Sequence, residues 1–180
     1  MGSAVPGEWS SRCWRQRPSS RFLGPFNMLY RFYQPSDFAA LYAVEELCFA
    51  PPFRFGRSFM RQIISSPNSA TWIAEEGVQP NVELIGFSVV EWSAEQGEPS
   101  AYIQTIEVHP AWRGRGIGAE LLQRVEGSAR TAGAESIGLH VDVENAAAIH
   151  LYEGRGYARQ GREEHFYARH HAAFVYAKRL

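Results

Sequence analysis

Tyr102-Ile103-Gln104-Thr105-Ile106-Glu107-Val108-His109-Pro110-Ala111-Trp112-Arg113-Gly114-Arg115-Gly116-Ile117-Gly118-Ala119-Glu120-Leu121-Leu122 is the stretch whose reading decides the fold. Its first part, with Tyr102, Ile103, Thr105, Ile106 and Val108, is rich in β-branched and aromatic side chains. It reads as a strand that stops at Pro110, which has no N–H for a sheet ladder. Its last part, continued to Val125, sets Leu121, Leu122 and Val125 at helical spacing. Between the two lies Arg113-Gly114-Arg115-Gly116-Ile117-Gly118. Glycines let backbone N–H groups turn outward and approach a ligand, and the positive end of the following helix dipole adds to them. The loop reads as an anion cradle.

Spacing separates the nucleotide-binding readings of that cradle. A Walker A loop requires Gly-Lys followed by Ser or Thr, which this stretch does not have. A dinucleotide fingerprint built on Gly116 and Gly118 requires a glycine where Leu121 stands. What remains is R-x-x-G-x-G after a strand and a proline. The plainer reading of the same residues is a turn with solvated arginines opening an ordinary helix.

The 180 residues suffice for one domain with a sizeable core, and 45% hydrophobic with 21% charged residues is a globular composition. A formal net charge of -1 supplies no basic field, so nucleic acid is not an expected partner. No apolar run approaches the roughly 18 residues of a membrane-spanning helix, and no membrane partner is expected. Cys13 and Cys48 give no disulfide framework and fit a reducing, cytoplasmic compartment. Residues 1–27 are dense in Ser, Gly, Pro and Arg, with Glu8 as their one acid, and lack a secretory apolar region. The composition is also that of an organelle transit peptide, but without a clear amphipathic period. These residues read as a disordered extension ahead of a domain spanning 28–180.

Within that domain, Leu29 to Gln34 alternates as a strand. Ser36 or Asp37 is placed to cap a helix with Phe38, Leu41, Val44 and Leu47 on one face. Pro51 and Pro52 end it, and Phe49 to Phe53 sets two aromatics around rigid prolines. A short helix over Ser58 to Ile64 follows. Ala70 to Glu75 and Val82 to Trp92 form a hairpin, joined to the central strand by the polar loop Ser93 to Ser100. After Gly133 comes a strand over Ser136 to Val141, then a helix opened by Asn145. Tyr157 to Gly161 and Ala172 to Lys178 are the last strands, with a polar, aromatic connection from Glu164 to His171 between them. The order β-α-α-β-β-β-α-β-α-β-β implies an α/β (α+β) fold, a mixed central sheet with helices on both faces and a strand-helix-strand crossover at its centre.

Two segments together resemble one known family. Arg113 to Gly118 resembles the pyrophosphate-binding loop of the GNAT superfamily of acyl-coenzyme A N-acyltransferases. Leu139-His140-Val141 through Asn145, Ala148-Ile149, Leu151-Tyr152 and Gly156-Tyr157 resembles that superfamily's L-x-V-x-x-x-N-x-x-A-I-x-L-Y-x-x-x-G-F/Y segment. The resemblance covers residues 28–180. It implies the GNAT fold with splayed central strands, acetyl-CoA as cosubstrate, no metal, and direct transfer to an amine. It implies coenzyme A contacts at Ile106, Val108, Arg113, Gly114, Arg115, Gly116, Ile117, Gly118 and Asn145.

Within the superfamily, the likeness is to amino-terminal protein acetyltransferases of the ribosomal-protein alanine and Nat E types. That likeness implies Tyr102 and His140 as catalytic residues and Tyr152 as the proton donor to the leaving thiolate. It implies Phe49, Pro51, Phe53, Gln104 and Tyr167 as acceptor contacts. Phe53 lacks a hydroxyl found at one substrate contact, Glu164-His165-Phe166-Tyr167 resembles the N-Y-Y loop that closes over the substrate amino terminus but with Phe166 in place of a tyrosine, and the ribosomal-protein type has Glu at the His140 position. The implied acceptor is a protein or peptide amino terminus, and the implied state a monomer or weak dimer. A small amine or a lysine side chain stays open as acceptor, and so does a noncatalytic coenzyme A-binding module.

The chemistry favours an amino terminus. An α-amino group titrates near 7.7 to 8.0 and lysine near 10.4, so taking a proton from lysine costs about 3.5 kcal/mol more, while a histidine base titrates near 6.5. His140 alternates to the face opposite Leu139 and Val141 and is the expected base, with Tyr102 joined to it through a water. The structural readings of these residues are a hydrogen-bonded sheet histidine, a packing Tyr152 and a helix-capping Asn145. Glu107 is the rival base. On a regular strand it points with Ile103 and Thr105, away from Tyr102, unless a bulge intervenes. His165, His170 and His171 lack metal-ligand spacing.

Overall fold

The computed structural model describes residues 28–51, 53–78, 80–93, 98–168 and 171–180. The extension 1–27, Pro52 of the aromatic-proline segment, residues 94–97 of the polar loop, and His170 lie outside them. Seven strands are present among the described residues: β1 Met28–Phe32, β2 Ser69–Val78, β3 Asn81–Ser93, β4 Ser100–Val108, β5 Ser136–Asp142, β6 Ala158–Ala168 and β7 His171–Arg179. Four helices accompany them, α1 Phe38–Cys48, α2 Arg57–Ile64, α3 Ile117–Thr131 and α4 Ala146–Glu153. The strands form one mixed sheet in the order β1-β2-β3-β4-β5-β7-β6. β4 and β5 run parallel, joined through α3, and the other neighbours are antiparallel.

Two cores follow from the two faces. Under α1 and α2, Phe38, Leu41, Val44, Met60 and Ile63 meet Ile73, Phe87 and Val89. Under α3 and α4, Leu121, Leu122, Val125, Ala148 and Tyr152 meet Ile85, Ile103, Ile106, Ile137 and Leu139. Each fully buried aliphatic side chain here stabilises the fold by about 1.5–3 kcal/mol relative to exposure.

Three local expectations change. The buried stripe of α1 is Phe38, Leu41, Tyr42, Val44, Glu45 and Cys48, whereas Leu47 is 54% exposed. A stripe running through Leu41, Glu45 and Cys48 leaves Leu47 on the flank. Asp37 makes no side-chain bond to the start of α1. Its carboxylate instead accepts the Gln34 N–H at 2.7 Å and both terminal nitrogens of Arg31 at 2.7 and 2.8 Å, so it caps the 3-10 turn Pro35–Asp37. Residues 164–168, expected in a connection, belong to β6.

The sheet departs from regularity where the function reading needs it. Val89 pairs Thr105 and Val90 pairs Ile103, which leaves Gln104 as an extra residue in β4. This bulge lets Ile103 and Ile106, three apart, both join the core under α3. β4 and β5 pair only from Ser100 with Ser136 to Tyr102 with Gly138, and beyond that rung they part.

Candidate active site

A cleft opens where β4 and β5 separate. Ile103, Gln104, Thr105 and Ile106 line one wall and Leu139, His140, Val141 and Asp142 the other. α4 contributes Asn145, Ala148 and Tyr152. Phe49, Phe53, Phe55 and Tyr167 form an aromatic rim, and Glu45 of α1 completes the lining. Its volume of about 100 Å³ is room for several water-sized groups.

A second hollow lies against the glycine loop, lined by Val108, Trp112, Arg113, Gly114, Gly116, Ile117, Gly118 and Ala119, with Ala147 and Leu151 of α4 opposite. Gly114 and Gly116 have φ of 76° and 81°, and a Cβ at either would meet no atom within 4 Å. The left-handed backbone is therefore what calls for glycine at these two positions, since the space would admit a side chain. Within α3 the first backward bond runs from Glu120 N–H to Gly116 O at 3.0 Å. The N–H groups of Ile117, Gly118 and Ala119 thus have no partner within the helix and head its positive end. A diphosphate fits this donor set. The Arg113 side chain goes elsewhere: its Nε donates to Val108 O at 2.8 Å and Nη2 to Cys48 Sγ at 3.1 Å, both inside the fold. Arg115 lies over the Trp112 ring at 4.5 Å.

At the parting of the strands, the Tyr102 hydroxyl is hydrogen-bonded directly to His140 Nδ1 at 2.8 Å. The water expected between them is not needed. Burial pushes the Tyr102 phenol up to about 12, opposed by a hydrogen bond with the His140 backbone and helped by the Glu163 carboxylate. At neutral pH it keeps its proton. His140 Nε2 faces Glu163 Oε2 at 2.9 Å. Phe166 stacks flat on the imidazole, ring centroids 4.0 Å apart and planes within 2°. That placement uses the irregular end of β6, where the backbone passes through the left-handed region at His165, φ 61°.

Tyr152 is buried, and burial followed by the neighbouring Tyr102 raises its pKa. Burial likewise raises Tyr167, with Tyr102 and Tyr152 as next causes, so the two phenols that line the cleft, Tyr152 and Tyr167, are neutral donors, while Tyr102 is not among the lining residues and reaches the cleft through its bond to His140. Tyr167 donates to His140 O at 3.3 Å and meets Phe53 with centroids 5.8 Å apart, closing the rim. Asn145 Oδ1 accepts the Ala148 N–H at 3.1 Å, the expected cap. Gln104 lines the cleft and donates to Glu91 Oε2 at 2.6 Å. Pro51 is exposed and is not among the cleft residues.

Glu107 illustrates the bulge. The extra residue turns it to the face of Tyr102, against the regular-strand expectation. There it is 1% exposed, accepts from Thr105 Oγ1 at 2.8 Å, and is absent from the cleft lining. Sequence reasoning missed Glu45 and Glu163. Glu45 is 1% exposed, and its Oε1 accepts the Phe55 N–H at 2.7 Å, fixing the aromatic rim to α1. Its position on the inner stripe of α1 was the available signal. Among the described residues no group of three His, Cys, Asp or Glu could hold a metal ion, and no helix is long and apolar enough to cross a membrane.

The model of the acetyltransferase (GNAT) family matches residues 38–157. The streptothricin acetyltransferase of Streptomyces lavendulae is 37% identical over 100 residues, 56% of this chain and 50% of that protein. N-alpha-acetyltransferase 30 of Saccharomyces cerevisiae is 34% identical over 73 residues, 41% of this chain and 42% of that protein. The matches to the first few curated relatives span half of their length or less. Among solved structures, the NatC complex bound to Gag peptide and CoA contains a chain with TM-score 0.75 and 24% identity, covering 85% of this chain and 98% of that one. That likeness is one of fold.

Proposed function

The chain belongs to the acetyltransferase (GNAT) family, and from that premise we propose that it transfers acetyl from acetyl-CoA directly to the α-amino group of a peptide or protein. The observation that carries the reading is the parting of β4 and β5 after Tyr102 and Gly138, with His140 and Tyr152 lining the gap. Acetyl-CoA supplies an activated thioester. The first amides of α3 hold its diphosphate and offset its charge, the part expected of the backbone in this glycine loop, with Arg113 lining the same hollow. Asn145 and Ile106 line the arm's path, and the N–H near Val108 polarises the carbonyl.

His140 is the base and Tyr102 its hydrogen-bonded partner. An α-amino group near 7.7 to 8.0 loses its proton to such a pair far more readily than lysine near 10.4 does. Tyr152 is a hydrogen-bond donor to the departing sulfur. Its raised pKa makes full proton transfer to a thiolate near 8.5 uphill, so it stabilises charge at sulfur as a donor that stays protonated. The aromatic rim of Phe49, Phe53 and Tyr167 suits the first side chains of a peptide, as in the likeness to Nat E-type enzymes, and a cytoplasmic monomer or weak dimer is part of the same reading.

The streptothricin acetyltransferase match covers more of this chain than the N-alpha-acetyltransferase match, and it favours a second reading, a small-molecule amine as acceptor. Turnover of acetyl-CoA against short peptides, the same peptides with blocked amino termini, and polyamines separates the two. Acetylation of free-amino peptides with loss on blocking is the expected result. Turnover confined to polyamines, or to lysines of blocked peptides, contradicts the α-amino acceptor.

A further inference from the structure

We propose that Glu163 is a positioning residue for His140: its carboxylate fixes the imidazole in the Nε2–H form, so that Nδ1 is the basic nitrogen and a proton reaches it only by way of the Tyr102 hydroxyl. The proposal rests on the acetyl-transfer reading and adds to it the order in which the proton moves.

Three contacts carry it. The Glu163 carboxylate has only acceptor atoms, and its Oε2 lies 2.9 Å from His140 Nε2, so that nitrogen carries the N–H. A neutral imidazole has one N–H, which leaves Nδ1 to accept from the Tyr102 hydroxyl 2.8 Å away; a phenol serves equally as donor or acceptor, so the carboxylate and not Tyr102 sets the tautomer. Phe166 covers one face of the ring at 4.0 Å and blocks rotation of the imidazole into the opposite pairing. Both ring nitrogens are thereby engaged. The titratable groups facing this assembly are Tyr102 from β4, Glu163 and Tyr167 from β6, and Tyr152, Asp142 and Glu45 from the other walls of the cleft.

The proton balance is simple. One N–H bond of the acceptor ammonium breaks, its electron pair stays on nitrogen, and its proton passes to Tyr102 Oη. The Tyr102 O–H bond breaks as its own proton passes to Nδ1, so the phenol ends neutral and the imidazole ends as imidazolium. The Glu163 carboxylate offsets that charge. Its side chain is 55% exposed, so the Nε2 proton has a way to bulk water. The path runs from the Tyr102 hydroxyl through His140 to the exposed Glu163 carboxylate, three side chains of three strands.

Substitution at an exposed side chain leaves folding intact, which makes the test clean. Glu163→Gln keeps an acceptor for Nε2–H and removes the charge, while Glu163→Ala removes both. For Glu163→Gln, kcat is expected to fall about 3- to 10-fold and the acidic limb of kcat/KM to move toward lower pH by about half a unit, with KM for acetyl-CoA unchanged. For Glu163→Ala, imidazole nitrogen resonances in the acceptor-free protein are expected to pass from a pure Nε2–H form to a tautomer mixture, and Glu163→Asp to restore part of the rate. Unchanged tautomer and pH profile in Glu163→Ala would overturn the proposal. Failure of every acceptor to turn over would overturn the acetyl-transfer reading, while the nitrogen resonances would still decide the role of Glu163.

Discussion

Arg31 is one side chain that joins three parts of the fold. From β1 it grips Asp37 ahead of α1 and Glu75 on β2, and its side chain is 26% exposed against 12% and 13% for the carboxylates. The bond to Arg31 holds the Asp37 carboxyl below its ordinary 3.8, with burial opposing. A depressed folded-state value means that the stabilisation is fully present above about 3.8 and is lost as pH falls through that lower value. Arg31→Met should therefore lower stability at pH 7 by about 2 kcal/mol, and the gap to the parent should shrink below about pH 4. Urea unfolding at both pH values measures it, and a gap independent of pH would refute the account of Asp37. The proposed catalytic residues Tyr102, His140 and Tyr152, and Asn145 as a proposed coenzyme A contact, stand out at this scale because they sit in two compact motifs. Glu163 does not, since it meets His140 23 positions away and only once β6 has folded back along β7.

Among the elements, β4 decides the site. Its bulge at Gln104 bends the strand at the point where pairing with β5 ends, and a bend there is what keeps the cleft open. Deleting Gln104 brings Ile103 and Ile106 to a two-residue spacing, still on the core face of a regular strand. The shortened chain should unfold cooperatively, a few degrees lower, while its affinity for acetyl-CoA falls at least tenfold as β4 continues alongside β5. Calorimetric titration reads this, and unchanged affinity would show that the parting does not depend on the bulge. Alternation and turn residues made the strands, helices and glycine loop readable in the sequence. The bulge was named only as an exception, because it is defined by β3: one register step between Val89 and Val90 creates it. The extent of β6 was missed for a similar reason, its polar residues lying along the sheet's edge.

For the whole molecule, the two cores hold the sheet from both sides while one hollow lies between β4 and β5 and a second against the start of α3, with α4 lining both. Donor-rich backbone lies against one hollow and neutral phenols with a histidine against the other, so a charged carrier and an amine can meet at a fixed place. Element order and fold class were legible because each helix and strand carries its own periodicity. The way the aromatic rim closes was not, because Phe53 and Tyr167 come from opposite ends of the domain and meet only in three dimensions. The most direct measurement is a crystal structure with a bisubstrate analogue, coenzyme A joined to the amino terminus of a short peptide. The expected result is diphosphate on the amides of Ile117 to Ala119, the joining carbon between β4 and β5 beside the Tyr102 hydroxyl, and the peptide passing between Phe53 and Tyr167. Diphosphate bound away from α3, or a peptide branch lying outside the gap between the strands, would contradict it.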